Sequence, residues 1–270
     1  MSSPKYAQIH RQLLFHWTAP KKLGEPRKRS ERLAYLDLLK GILNEGLRFS
    51  TPGSEHAEWI ERGKIEASRP MICLSEWGLA DSRAHAGRYG KMGFGFTRKF
   101  IMKKGGRPVI YVPNARNDQF RKSLIEVLRM AKETPGLEEH YGILASSLKA
   151  YHFPRDIQKA RPDIGSKKTG TVPRRPKVLP EDSGLRLDFG GIFSNLEDRE
   201  WRILRSTNRK SVSPGQPVTL ECSPGNLAMI VLPDHQTLSL ALQDEGIREH
   251  LFVPEQPAVC LVSKEMIFSI

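Results

Sequence analysis

The sequence predicts an α+β fold, because strand-like apolar runs cluster near both ends of the chain and helical periodicity occupies the middle. The 270 residues show no internal repeat and no clear boundary between two cores. We therefore expect one elaborated α+β domain that spans residues 1–270.

The N-terminal part of the chain is predicted to begin with a short strand over residues 12–17. A helix over 30–44 follows, with Ser30 as its N-cap. The expected apolar face of this helix comprises Leu33, Leu36, Leu39 and Leu43. A short helix is predicted over 55–62 and a second strand over 71–74.

In the middle of the chain, two predicted strands frame a basic element. The strands cover 94–96 and 109–112, and the basic element covers 98–104. Helices are predicted over 118–132 and over 137–151. The apolar stripe of the first of these two helices comprises Leu124, Val127, Leu128 and Ala131.

The composition changes after residue 153. Residues 154–186 are dense in Pro, Gly, Lys and Arg and poor in apolar residues, so we expect a mobile loop there. A helix is predicted over 235–244. The remaining strands are predicted over 200–205, 218–221, 228–231 and 259–262.

The formal net charge is +13, which exceeds what solubility requires and predicts attraction to polyanions such as RNA or DNA. The three cysteines lie far apart and have no histidine at ligand spacing, which argues against a metal site. An odd number of cysteines without a disulfide framework favours a reducing cytoplasm. No apolar run approaches the length that spans a bilayer, so we expect no membrane association.

Two groups of cations are candidate contacts for nucleic acid. Lys103, Lys104 and Arg107 lie beside Gly105 and Gly106, a combination that can direct backbone N–H groups and positive charge at phosphate. No P-loop pattern accompanies them. The second group lies in the 154–186 loop and comprises Arg174, Arg175 and Lys177.

The most informative stretch runs from residue 71 to residue 112. An apolar run at 71–75 leads to a Tyr-Gly turn at Tyr89 and to a strand in which glycine alternates with phenylalanine. The glycines require that another strand or a ligand approach the backbone closely. A basic segment and a Pro-Val-Ile-Tyr-Val strand at 108–112 complete it.

This stretch resembles the AbiGi family of bacterial abortive-infection proteins, which confer phage resistance. The likeness extends to residues 14–17 and 199–202. Such proteins are commonly described as the antitoxin-like half of a two-gene system. The resemblance therefore implies a role in anti-phage defence and a partner toxin or antitoxin protein.

Three residues in or beside different strands resemble the catalytic set of ADP-ribosyltransferases of the diphtheria-toxin-like class. They are His16, Tyr89 and Glu200. The resemblance implies NAD as substrate, with His16 on the adenosine ribose, Tyr89 stacked on nicotinamide and Glu200 on the nicotinamide ribose. A fixed carboxylate there would stabilise the positive charge that develops as the glycosidic bond breaks. The fold implied is a pair of split β-sheets with flanking helices.

Three more residues complete the implied NAD site. Thr18 forms a His-x-Thr pattern with His16. Phe100 is at the position where members of this class often have a second aromatic residue, and Arg202 would face the pyrophosphate of NAD. Structural alternatives remain open for the three main candidates. His16 would hydrogen-bond to backbone, Tyr89 would be a turn residue, and Glu200 would be an ion-pair partner of a nearby arginine.

The first functional hypothesis is therefore a cytoplasmic anti-phage ADP-ribosyltransferase that acts on a nucleic acid or on a nucleic-acid-associated target. The second is a non-catalytic antitoxin or sensor subunit that binds a partner protein or RNA. Turnover of NAD and toxicity on expression would distinguish the two.

Overall fold

The computed structural model describes residues 13–19, 24–51, 69–76, 86–87, 89–113, 118–151, 199–205, 218–256 and 258–268. The helix predicted over 55–62 lies outside the described residues. The loop predicted over 154–186 also lies outside them, together with Arg174, Arg175 and Lys177.

The described residues form eleven strands and seven helices. The strands are β1 (Leu13–Thr18), β2 (Leu47–Arg48), β3 (Met71–Ser75), β4 (Met92–Thr97), β5 (Arg107–Pro108), β6 (Ile110–Pro113), β7 (Leu148–Tyr151), β8 (Glu200–Leu204), β9 (Thr219–Leu220), β10 (Leu227–Leu232) and β11 (Cys260–Ser263). The helices are α1 (Arg29–Glu45), α2 (Arg98–Lys103), α3 (Gln119–Glu133), α4 (Glu138–Ser146), α5 (His235–Gln243), α6 (Glu245–Leu251) and α7 (Lys264–Phe268).

A seven-stranded sheet with the order β11-β10-β4-β1-β3-β8-β5 forms the centre of the fold. Its pairs are antiparallel except for β10 with β11. Two further strand pairs are separate from it, β2 with β9 and β6 with β7. The α+β class is confirmed, whereas the ADP-ribosyltransferase-like arrangement of two split sheets is not confirmed.

One face of the seven-stranded sheet carries the main core. Leu14, Phe94 and Trp201 point to this face and pack with buried residues of α1, α5 and α6. The opposite face carries Phe15 and Trp17, which cluster with Met229, Val231 and Ile267. Because side chains alternate along a strand, the face that each residue occupies can be read from these two clusters.

Two glycines of β4 make room for two aromatic rings of β1. Gly95 is paired with Phe15 and Gly93 with Trp17. A methyl group at Gly95 would lie 2.8 Å from Cε1 of Phe15, and one at Gly93 would lie 2.9 Å from Cζ3 of Trp17. The close approach predicted for this strand is therefore made by the rings of a neighbouring strand.

A smaller unit consists of β6, β7, α3 and α4, and we refer to it as the β6–β7 unit. Its two strands are parallel, and its core comprises Val112, Leu128, Tyr141, Ala145 and Leu148. Asp118 caps α3 by accepting a hydrogen bond from the N–H of Arg121 at 2.7 Å. This unit follows directly after β5, the strand at one edge of the seven-stranded sheet.

Several sequence predictions differ from the structure. The helix predicted over 137–151 ends at Ser146, because the next residues form β7 and pair with β6. In α1 the N-cap is Lys28, and Tyr35 takes the buried position that Leu33 was expected to share. Val127 points to solvent, because α3 buries only one side against the β6–β7 pair.

None of the described helices is both long enough and apolar enough to cross a bilayer.

We expect Gly95→Ala to lower the free energy of unfolding by about 1–3 kcal/mol, since the new methyl group would force Phe15 or the backbone to move. Urea denaturation measures the change. Gly41→Ala is the matched control, because its added methyl group meets no atom within 4 Å in α1 and should raise stability by about 0.5–1 kcal/mol. Equal effects of the two substitutions would contradict the close packing of β1 against β4.

Candidate functional site: a buried ion-pair cluster

Glu200 lies in a buried cluster of charges at the start of β8. Its Oε2 is 2.6 Å from Nζ of Lys149, and its Oε1 is 2.6 Å from Nε of Arg202. All three side chains are nearly inaccessible to solvent, and that of Arg202 is 2% exposed. Both carboxylate oxygens are therefore engaged by cations of the protein itself.

The backbone of Glu200 is also engaged. Its N–H donates a hydrogen bond to Oη of Tyr111 at 3.0 Å, and its carbonyl oxygen accepts one from the N–H of Val109 at 2.8 Å. Together with the ion pair to Lys149, these contacts connect β8 to the β6–β7 unit and to Val109, the residue just before that unit. Glu200 thus joins two parts of the fold through its side chain and its main chain.

Arg202 extends the same connection. Its Nη1 donates to the carbonyl oxygen of Ser146 at 2.7 Å and to that of Leu148 at 2.9 Å. These carbonyl groups lie at the end of α4 and at the start of β7. Because the guanidinium is buried and engaged in these bonds, it is poorly placed to bind the pyrophosphate of a dinucleotide.

The charges in the cluster determine its protonation state. Burial by itself raises the pKa of the Glu200 carboxyl, but Arg202 and Lys149 outweigh it and lower the pKa to about 2. Cys73 faces Arg202 across β3 and β8. Desolvation, with the nearby Glu200 carboxylate adding to it, raises the pKa of the Cys73 thiol to about 12. At neutral pH the cluster therefore holds an ionised carboxylate and a protonated thiol.

His16 is half-buried and bonds to backbone. Its Nδ1 donates to the carbonyl oxygen of Cys73 at 2.9 Å, which is the structural alternative left open by the sequence. Burial lowers the pKa of His16, although that hydrogen bond opposes the shift. The imidazole is consequently neutral at pH 7, with the proton on Nδ1.

His16 and Glu200 lie on opposite faces of the seven-stranded sheet. His16 pairs with Phe94, on the face of the main core, whereas Glu200 pairs with Ser75, which in turn pairs with Phe15 on the other face. Their strands are separated by β3, which places their backbones about 10 Å apart. The structure therefore does not bring these two side chains to one cleft.

Of the other residues of the predicted NAD site, Tyr89 lies near the end of β1 and Phe100 lies in the main core. Tyr89 is 46% exposed and precedes Gly90, whose Cα packs against the backbone of Thr18 at the end of β1. Phe100 lies in the main core, stacked on Phe96 with the ring centroids 5.8 Å apart. Use of NAD stays a prediction, and it would require a different arrangement of His16 and Glu200.

The basic turn after α2 uses its backbone donors within the protein. The N–H groups of Lys104, Gly105 and Gly106 donate to carbonyl oxygens of α2. Nη1 of Arg107 donates to the carbonyl oxygens of Met102 and Gly106. The expectation that the two glycines present N–H groups to phosphate is therefore wrong, because those groups satisfy the end of the helix.

Lys103 and Lys104 are exposed and form no ion pair within the described part of the chain. Nζ of Lys104 lies 5.5 Å from the centroid of the Phe100 ring. Cations at the C-terminal end of a helix are favoured by the helix dipole. A structural role accounts for both residues, and their contact with nucleic acid stays a prediction.

Sequence reasoning missed Lys149, which completes the cluster around Glu200. The helix predicted over 137–151 places this lysine in a helical turn, whereas it lies on β7. The alternation of Leu148, Lys149 and the following residues is the signal that favours a strand. A lysine between apolar neighbours on a strand is an indication that its charge is paired inside the protein.

The AbiGi family model, described as that of an abortive phage resistance protein and antitoxin, matches residues 51–159. The match covers less than half of the 270-residue chain. It includes the elements from β3 to β7 and excludes 14–17 and 199–202, the two other segments of the resemblance. No curated protein and no solved structure matches the chain.

We expect Glu200→Gln to lower the free energy of unfolding by about 3–5 kcal/mol, because it leaves two buried cations without a countercharge. Thermal or urea denaturation measures the loss. Glu126→Gln is the control, since Glu126 is an exposed ion-pair partner of Arg129 and should contribute far less. Similar small losses for both variants would show that the cluster does not stabilise the fold.

The contribution of Glu200 to stability should depend on pH. Its pKa is about 2 in the folded protein, against an ordinary value of 4.5, so its contribution is complete above the ordinary value. We expect the difference in unfolding free energy between wild type and Glu200→Gln to shrink as the pH falls from 4.5 towards 2. Denaturation curves at successive pH values test this, and a difference that stays constant would contradict the assignment.

Proposed function

We propose that this chain is an antitoxin-type component of a two-gene abortive-infection system and acts by binding its partner toxin. The observation that carries the proposal is the match of residues 51–159 to the AbiGi antitoxin model. The proposal requires no catalytic residue. It requires a surface in the matched part of the chain that another protein can cover.

Helix α3, which lies within the matched residues, offers such a surface. Phe120, Val127 and Met130 are each more than half exposed. Their spacing of seven and three residues puts them on one flank of the helix, next to the side that packs on the β6–β7 unit. Exposed apolar groups aligned in this way are typical of protein-binding sites.

Helix α4 and its approach add three more apolar residues to the exposed surface of the same unit. Leu137, Ile143 and Leu144 are each between 38% and 40% exposed. Within α3, Arg129 pairs with both Glu126 and Glu133. The chemistry expected of the partner surface is therefore apolar.

The geometry of Glu200 favours this function over ADP-ribosyl transfer. A catalytic carboxylate has to approach the ribose of NAD, whereas both oxygens of Glu200 are held at 2.6 Å by Lys149 and Arg202. Freeing them would leave buried cations unpaired, at a cost of several kcal/mol. A structural role for this residue is consistent with a binding protein.

Growth of bacteria that express the toxin gene of the same two-gene system tests the proposal. We expect the chain to be harmless when expressed alone and to restore growth when expressed with the toxin. The triple variant Phe120→Ser, Val127→Ser, Met130→Ser should lose this rescue while keeping its fold, because the three side chains are exposed. Co-purification of toxin and chain should follow the same pattern.

Leu242→Ser is the matched control, since Leu242 is 45% exposed on α5, outside the matched residues. It should leave the rescue unchanged. Growth arrest by the chain alone, abolished by Glu200→Gln in a variant that still folds, would overturn the proposal in favour of an NAD-consuming enzyme.

A further inference from the structure

A groove between α1 and α5 is rich in hydrogen-bond donors. It has a volume of about 320 Å³ and is lined by Arg29, Arg32, Gln236, Ser239, Leu240 and Gln243. On α5, Ser239, Leu240 and Gln243 follow Gln236 by three, four and seven residues, so the four side chains lie on one face of that helix. The volume suits a ligand of about the size of one nucleotide.

The floor of the groove is held in place by an ion pair. Nε of Arg32 lies 2.9 Å from Oδ2 of Asp234, and its Nη2 donates to the carbonyl oxygen of Pro26 at 3.2 Å. Asp234 also caps α5 by accepting hydrogen bonds from the N–H and Oγ1 of Thr237. Asp234 and Arg32 therefore neutralise each other, and the carboxylate fixes the orientation of Arg32.

Arg29, which lines the groove, has two further exposed cations just before it in the chain. Arg27, Lys28 and Arg29 are exposed, and their side chains form no ion pair within the described residues. Glu31 offsets one of these three charges: its carboxylate accepts hydrogen bonds from the backbone N–H groups of Arg27 and Lys28, and these bonds, together with the two cations, lower its pKa. The local charge is consequently positive.

The cations at the start of α1 oppose the helix dipole, whereas Glu31 in the first turn is placed in accord with it. Lys28, Arg29 and Arg32 surround its positive N-terminal end, and its last turn has no basic residue and ends at Glu45. Cations near a helix N-terminus are unfavourable by a few tenths of a kcal/mol each. A bound anion would offset that cost, and a sequence that keeps such a pattern indicates a binding role.

We propose that the α1–α5 groove binds the phosphates of single-stranded nucleic acid. Arg29 supplies the charge for the phosphate, since the charge of Arg32 is already matched by Asp234, and Gln236, Ser239 and Gln243 supply neutral donors for phosphate and sugar oxygens. A concave site of this size admits a flexible strand more readily than a duplex. The groove lies outside residues 51–159, so this inference does not depend on the proposed binding of a toxin.

Fluorescence anisotropy with a labelled single-stranded RNA of twelve nucleotides, over a series of salt concentrations, tests the inference. For Arg29→Gln we expect weaker binding and a salt dependence of log K that is smaller by about 0.7, the value for one lost phosphate contact on a single strand. Ser239→Glu places a carboxylate in the groove and should weaken binding about tenfold or more. All variants should unfold at the same urea concentration as wild type.

The control is Lys122→Gln, which removes the same amount of charge from an exposed site on α3. It should change the affinity less than twofold. Equal losses in Arg29→Gln and in the control would overturn the inference in favour of a non-specific effect of net charge. Loss in the control alone, no binding of RNA, or equal competition by polyglutamate would also overturn it.

Discussion

The fold depends on one buried ion pair, in which the carboxylate of Glu200 holds Lys149 and Arg202. The three residues belong to β7 and β8, which lie in different sheets. The backbone of Glu200 adds bonds to Val109 and Tyr111, so a single residue fixes the β6–β7 unit against the edge of the seven-stranded sheet. Removing one member of such a pair is costly, because the remaining charges cannot return to water.

This arrangement has a functional consequence. The residue that resemblance to a transferase would make catalytic is instead a structural connection. It orients the unit whose α3 exposes Phe120, Val127 and Met130. If that surface binds a partner, its position relative to the main sheet depends on the ion pair. The α1–α5 groove belongs to the other part of the chain, so a protein partner and a nucleic acid would occupy separate surfaces.

Much of the fold follows from the sequence, because local patterns determine it. Glycine alternating with phenylalanine predicts a closely approached strand, and the structure identifies Phe15 and Trp17 as the approaching groups. The candidate site was less predictable. The order of His16 and Glu200 along the chain does not specify sheet faces, and strand pairing places the two on opposite sides. Lys149 was missed because the helix predicted over 137–151 runs through the short alternating segment that pairs in parallel with β6.

The most direct test of the account is a double-mutant cycle between Lys149 and Glu200. The unfolding free energies of wild type, Lys149→Met, Glu200→Gln and the double variant would be measured by urea denaturation. The account predicts a coupling energy of about 1–3 kcal/mol, because Glu200→Gln leaves the buried charge of Lys149 unmatched and Lys149→Met leaves Glu200 paired with Arg202 alone. Effects that add to within about 0.5 kcal/mol would contradict it, since they would show that the two residues act independently.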